Sequence, residues 1–336
     1  MDEQTMNARA VIADAEALLG AGLDHEAVAA LRHANRRARH ADIEQRLVSL
    51  RHAVGARPRP VAPTPPDRVT SSTEHPSPLT PISPADLDVE RLRAGLAEHG
   101  CVWVRGLIPP DRAAALAGGI DAALAAFDAD DPSDGWYAHF TPNGGEYRVG
   151  GRRNWVRRSG AVWTADSPRM LHELTELVDE TGVLDLVTSY LGEVPALSAN
   201  KCTLRRVPTD TNTGWHQDGA FLGEDVRTLN LWLALGPCGV DAPGLDVVPR
   251  RLDRVVETGG DGTYFDWDVS PDTVERVADG VAVVRPEFEA GDALLFDHLF
   301  LHRTAVAPGM SLERHAMETW FFAPSAYPKG QIPLAL

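Results

Sequence analysis

Apolar residues along this chain keep a helical spacing first, lose it, and later alternate. Over residues 5–54, Val11, Ile12, Ala15, Leu18 and Leu19 recur at helical intervals, followed by Ala27, Leu31 and Ala34 and then by Ile43, Leu47 and Leu50. Gly20 and Gly22 interrupt the first run, and Asp24 and Asp42 stand where helix caps belong, so the pattern predicts a small helical unit. From about residue 57 to 84 the spacing dissolves into Pro, Ser and Thr, which forbids helix and central strand and leaves an extended spacer. Helical spacing returns over 86–98, where Leu87, Leu92 and Leu96 share a face, and in the Ala-rich run that Pro109, Pro110 and Asp111 open and Phe127 closes. Between these two helices, 101–107 reads as a strand. Helices are expected again at 168–178 and 183–191. Strands are expected at 196–207, 226–235, 245–248, 282–286, 293–296, 301–306 and 315–322.

So many strands, with helices gathered ahead of them, predict a mainly β fold with α. The expected core is a double-stranded β-helix (jelly-roll, cupin-like) with flanking helices, preceded by a small helical N-terminal segment. The expected organisation is a helical appendage at 1–56, a Pro-rich linker at 57–85 and a body at 86–330. Gly22, Ala27, Leu31 and Ala34 look like part of one tetratricopeptide unit, but such repeats need about three copies to be stable. A hairpin that docks on the body or on a protein partner is the plainer expectation, with Arg32, Arg36, Arg37 and Arg39 as a solvated stripe.

The 336 residues exceed a typical single domain, and 43% apolar content suffices for a buried core. A formal charge of −16 argues against nucleic acid and anionic membrane as partners. Cys101, Cys202 and Cys238 are odd in number and lack C-x-x-C spacing, so no disulfide framework or zinc knuckle is indicated. With no apolar run of membrane-spanning length and no basic leader, the expectation is a soluble, cytoplasmic protein.

Candidate chemistry lies in Gly214-Trp215-His216-Gln217-Asp218-Gly219 and in the block from Gly291 to His302. On a strand, His216 and Asp218 would face the same way and could grip one ion, with His302 as the third ligand. Two histidines and a carboxylate on one face of an octahedron leave open positions, the ligand set of non-haem Fe(II) oxygenases, whereas zinc prefers a more closed site. Thr304 and Arg314 follow, and an inward arginine beside such a centre needs an anion, which a dicarboxylate co-substrate would supply. His298, four residues before His302, is a rival third ligand that strand periodicity alone does not separate.

With these motifs the chain resembles the phytanoyl-CoA dioxygenase family of Fe(II)/2-oxoglutarate oxygenases over most of residues 87–325. The resemblance rests on Gly100 to Ile108, His216-Gln217-Asp218, Ala242 to Pro249, and the Gly291 to His302 block. It places the iron ligands on His216, Asp218 and His302, with the 2-oxoglutarate carboxylate held by Thr304 and Arg314, and it favours His302 over His298. It implies Fe(II), 2-oxoglutarate and O2 as cofactors and co-substrates, residues 86–330 as the dioxygenase domain, and hydroxylation of a small organic metabolite or acyl substrate with 2-oxoglutarate decarboxylated to succinate. Asp218 retains the carboxylate that a related halogenase would lack. Where relatives read Pro-Gly-Ser-His, this chain has Pro249-Arg250-Arg251-Leu252, expected as an altered surface turn.

Two rims are expected around the site. Residues 128–164 hold Trp136, Tyr137, Phe140, Tyr147, Trp155 and Trp163 with Arg148, Arg152, Arg153, Arg157 and Arg158. They suit a lid over an anionic or carrier-linked substrate as well as they suit a solvated charge run. Residues 257–280, with Tyr264, Phe265 and Trp267, form the second. Asn200 and Thr203 lie on opposite faces of one expected strand, so one of them can touch 2-oxoglutarate. The rival classes are a non-redox, metal-binding cupin-like sensor or scaffold and a zinc-dependent hydrolase or isomerase. A mere metal-binding barrel has no reason to keep Arg314 with Thr304.

Overall fold

The computed structural model describes residues 3–57, 66–144, 147, 152–211 and 213–336. Three helices open it: α1 (Glu3–Gly20), α2 (Asp24–Arg37) and α3 (Ala41–Gly55). Then come α4 (Val89–His99), β1 (Cys101–Val104), α5 (Pro110–Ala129), α6 (Arg152–Arg158), β2 (Ala161–Trp163), α7 (Pro168–Glu180) and α8 (Val183–Leu191). The strand-rich half comprises β3 (Ala196–Ser198), β4 (Thr203–Val207), a short α9 (Gly219–Leu222), β5 (Thr228–Ala234), β6 (Gly244–Val247) and α10 (Pro271–Ala278). It ends with β7 (Ala293–Phe296), β8 (His302–Ala305), β9 (Arg314–Phe322) and β10 (Pro333–Ala335).

The larger sheet runs β1-β7-β5-β9-β3-β10, with β4 also on β9 and β2 on β4; β6 and β8 form the second. Every strand pair is antiparallel, and the sheets make the expected double-stranded β-helix. Register sets what faces inward. Trp232 lies opposite Glu318 and Leu294, Asn230 opposite Trp320 and Phe296, and Thr203 opposite Glu318. Directly paired residues project to the same side, so Arg314, Glu318 and Trp320 share one face with Asn230, Trp232, Thr203 and Arg205. The opposite face carries Leu229, Leu231, Leu233, Met317 and Phe321, all buried in the main core.

Four expectations change. The strand expected at 196–207 breaks into β3 and β4 around a turn. The stretch 282–286 keeps only an isolated bridge, Val284 to Val247: Val283 is exposed, and Pro286 has no amide proton to donate. The helical unit rests on the body through α3, which lies against β10 and α7. There the buried Arg51 donates from Nη1 to the Ala335 carbonyl at 2.8 Å, and His52 Nδ1 reaches the Pro333 carbonyl at 3.0 Å. Part of the arginine stripe is therefore engaged rather than solvated: Arg32 pairs with Glu176 and Asp179, and Arg36 with Glu176. Finally, Arg251 is not on a surface turn. It is buried, donating to Asp297 Oδ2 at 2.7 Å and to the Val69 carbonyl at 2.9 Å, where the proline-rich segment lies along the body.

Candidate metal centre

His216, Asp218 and His302 come together, one ligand atom from each lying within 4.8 Å of the others. The convergence is not that of one strand. His216 and His302 exchange both backbone hydrogen bonds, N to O at 3.0 and 3.1 Å, in an isolated antiparallel bridge. Asp218 then turns out of the extended path with φ −61° and ψ −22° as the residue capping α9. This strand-to-helix turn, rather than period-two alternation, brings its carboxylate to the two rings, with Oδ2 3.9 Å from His302 Nε2.

Both imidazoles are oriented through Nδ1. His216 Nδ1 lies 2.9 Å from the Gly214 carbonyl, and His302 Nδ1 lies 3.1 Å from the Phe300 carbonyl. A carbonyl only accepts, so each Nδ1 carries the proton and each Nε2 keeps a lone pair for a cation. Burial, reinforced by nearby His216, pushes His302 down to about 4, which keeps it neutral. Burial acts to raise Asp218, but the opposing effects, led by the Lys201 ammonium, hold the carboxyl below its ordinary value. Lys201 Nζ donates to Asp218 Oδ1 at 2.9 Å. A buried, neutral His302, a half-buried His216 whose Nδ1 is held by a carbonyl, and an ionised carboxylate make a donor set for a divalent ion.

Gln217 takes no part in this cluster. Its Nε2 donates to the Arg254 carbonyl at 3.1 Å and its Oε1 accepts from Val256 N at 2.8 Å, tying the ligand turn to the 254–256 loop. His298 is also outside the cluster. The chain turns at residues 298–299, so His298 and His302 do not share a strand; His298 Nε2 lies 3.3 Å from the Glu224 carbonyl. The ring lines a separate cavity of about 50 Å³ with Arg68, Val69 and Tyr190.

Arg314 projects into the barrel interior and is 1% exposed. Its Nη1 donates to the Gly244 carbonyl at 2.6 Å, Nη2 lies 3.5 Å from Thr304 Oγ1, and Nε has no partner. Burial and then nearby Arg205 lower it to about 10, so it stays cationic at neutral pH. Asn230 Oδ1 and Trp232 Nε1, on the same inward face, are buried without partners. A buried guanidinium with no carboxylate against it among the described residues, 5.4 Å from the Trp232 ring, suits an anion from outside the chain.

Thr203 lies on the interior face, its hydroxyl donating to Glu318 Oε2 at 2.9 Å; Asn200 lies in the turn before β4, its Oδ1 accepting from Ser198 Oγ and Ile332 N and its Nδ2 buried without a partner among the described residues. Three interior residues were not singled out by sequence reasoning: Lys201, Arg205 and Glu318. Arg205 Nη1 donates to Glu318 Oε1 at 2.8 Å. Glu318 could have been found from its place four residues after Arg314 on one strand, and Arg205 from its place two after Thr203; nothing in the local pattern marked Lys201. On the 128–164 rim, Arg153 pairs with Asp166 and stacks 4.2 Å over Trp163, and Arg157 pairs with Asp128, so neither is an open anion holder. Arg148 and the Arg152 side chain lie outside the described residues.

Fold and site together define a double-stranded β-helix protein with a two-histidine, one-carboxylate cluster. A model of the phytanoyl-CoA dioxygenase (PhyH) family matches residues 96–306, more than half of the chain, and the chain belongs to this family of Fe(II)/2-oxoglutarate-dependent oxygenases. Among solved structures it is similar to EctD from S. alaskensis with 2-oxoglutarate and 5-hydroxyectoine. That likeness has 16% identity, covers 82% of this chain and 88% of that one, and has a TM-score of 0.51. EctD from S. alaskensis with bound Fe gives 17% identity, coverage of 79% and 85%, and a TM-score of 0.51. At these identities the likeness is one of fold. No curated protein matches the sequence. Among the described residues, no helix is long and apolar enough to cross a membrane.

Proposed function

We propose that the chain is an oxygenase that hydroxylates a small organic metabolite or acyl substrate, using Fe(II) held by His216, Asp218 and His302. When bound, the iron and 2-oxoglutarate supply the oxidising chemistry, with O2 consumed as 2-oxoglutarate is decarboxylated to succinate. The chain's own residues do the placing. His216 and His302 would each offer Nε2, fixed by the carbonyls at Gly214 and Phe300, and Asp218 an oxygen kept ionised by Lys201. Arg314 would pair with the distal carboxylate of 2-oxoglutarate, with the Thr304 hydroxyl beside it. Trp232 and the apolar strands around Arg314 would shut out water, strengthening that ion pair. We assign the chemistry to residues 86–330, with 57–85 as connecting segment and 1–56 as a helical brace that could also engage a protein partner.

The observation that carries this reading is the buried Arg314 guanidinium without a carboxylate partner among the described residues, inside the same barrel as the histidine–carboxylate cluster. Its Nε has no partner among the described residues, and Thr304 Oγ1 stands 3.5 Å from Nη2. Incubation of the purified chain with Fe(II), ascorbate and 2-oxoglutarate, without any prime substrate, should release succinate slowly. Absence of both succinate and 2-oxoglutarate binding in the iron-loaded protein would overturn the proposal. Mass spectrometry of products from candidate metabolites then tests hydroxylation against desaturation, ring closure or epimerisation.

A further inference from the structure

Lys201 touches two things at once. Its ammonium donates to Asp218 and also lies 4.2 Å from the centre of the Phe221 ring. Phe221 is 39% exposed although it sits one turn past a buried carboxylate. Facing it at 6.4 Å and 82° is Trp267, which is stacked in parallel on Phe265 at 4.5 Å and 4°; Phe265 is 38% exposed. The rings thus make a corner, with one wall the flat Trp267–Phe265 pair and the other, nearly perpendicular, Phe221.

This corner is built from outside the hydrophobic core. The loop that carries Phe265 and Trp267 is held by Asp268, whose Oδ2 accepts from Tyr264 N at 2.9 Å and Phe265 N at 3.1 Å. Asp268 in turn sits against Gly214, where a Cβ would come within 2.2 Å of Oδ2, so only glycine allows the approach. Val269 N donates to the Trp215 carbonyl at 2.7 Å, next to His216. The aromatic loop is therefore keyed to the strand that presents a proposed ligand. Large rings left partly in water, yet fixed relative to a reactive centre, are arranged to meet something.

We infer that Phe221, Phe265 and Trp267 form the specificity wall for the prime substrate, and that this substrate carries a flat aromatic or unsaturated ring system. A flat ring lying on one wall stacks there while its edge meets the other, and aromatic pairs favour both offset stacking and edge-to-face contact. A saturated chain gains area on such a corner but neither geometry. The inference rests on the reading above that the site oxidises a small organic molecule.

The test uses the full chain freed of metal, titrated calorimetrically with 2-naphthoate and with cyclohexanecarboxylate, which has the same charge without a flat ring. The wild-type protein should bind 2-naphthoate saturably and more tightly than the saturated acid. Phe221→Ala and Trp267→Ala should each weaken 2-naphthoate about three- to tenfold. Trp267→Phe should retain most of the affinity, and Leu312→Ala, an exposed apolar residue elsewhere, should change nothing. No saturable binding, equal binding of the two acids, or a loss as large in Leu312→Ala as in Trp267→Ala overturns the inference. Circular dichroism confirms that each variant is folded, which the exposure of these side chains favours. Succinate release and 2-oxoglutarate binding by the wild-type protein test the oxygenase reading separately, so naphthoate binding with neither of them would leave the wall standing and remove that reading.

Discussion

Lys201 Nζ sits 2.9 Å from Asp218 Oδ1, so the carboxylate proposed to grip iron already shares its charge with a cation of its own chain. Two effects oppose each other there. The ammonium repels a divalent ion, but its hydrogen bond also fixes the carboxylate's orientation, and such outer partners commonly matter ten- to hundredfold in metal affinity. Lys201→Met should therefore weaken Fe(II) or Co(II) binding by about ten- to hundredfold, whereas Lys201→Gln, which can still donate, should stay near wild type. Titration of the Co(II) absorption bands checks this; tighter binding in Lys201→Met would mean that repulsion dominates.

Arg314→Lys exchanges a planar fork for a point charge. The 2-oxoglutarate concentration needed for half-maximal succinate release should rise by roughly tenfold or more, with Fe(II) affinity unchanged. Unchanged co-substrate affinity in this variant would count against Arg314 as the partner.

The two downstream histidines should separate cleanly. His302→Ala should lose metal retention, read by elemental analysis after desalting. His298→Ala should retain the metal and lose only about 1–2 kcal/mol of stability, for its hydrogen bond and packing near Glu224.

Gly214→Ala should disturb the aromatic loop and the ligand strand together, because the new methyl meets the Asp268 carboxylate. A loss of about 1–3 kcal/mol in urea unfolding is expected, accompanied by weaker metal retention. Normal stability with normal metal binding would show that the loop can move aside without cost.

Docking of the helical unit should weaken in acid. Burial acts to raise Glu176, but hydrogen bonds from Arg36 and Arg32 outweigh it and leave its carboxyl below the ordinary 4.5. A depressed pKa gives stability that is fully present above 4.5 and disappears as pH falls through the lower folded value. Glu176→Gln should therefore cost about 1–2 kcal/mol at neutral pH, discounted for partial solvent screening. Below the folded pKa it should cost almost nothing. Chemical denaturation across the acid range measures the difference, and a cost independent of pH would assign Glu176 a packing role instead.

Local pattern was enough for much of this protein. Apolar spacing located α8 and β7 at their observed bounds, proline marked the connecting segment, and residue type and spacing, read with the family resemblance, nominated His216, Asp218, His302, Thr304 and Arg314. These features are short-range, because burial on one face of a helix or strand leaves its period in the sequence itself. Tertiary structure decided the rest. The turns at 199–202 and 298–299 reset the period, so Thr203 joins Arg205 and Glu318 on the interior face and His302 rather than His298 meets the other ligands. Lys201 became visible through its reach to Asp218, and Glu318 through the register of β9 against β4. Phe221 met Trp267 because a loop after β6 folds back on the turn after Asp218. Side chains so far apart in sequence become neighbours through backbone reversals and antiparallel pairing, and alternation along any single strand carries no record of which strand will lie beside it.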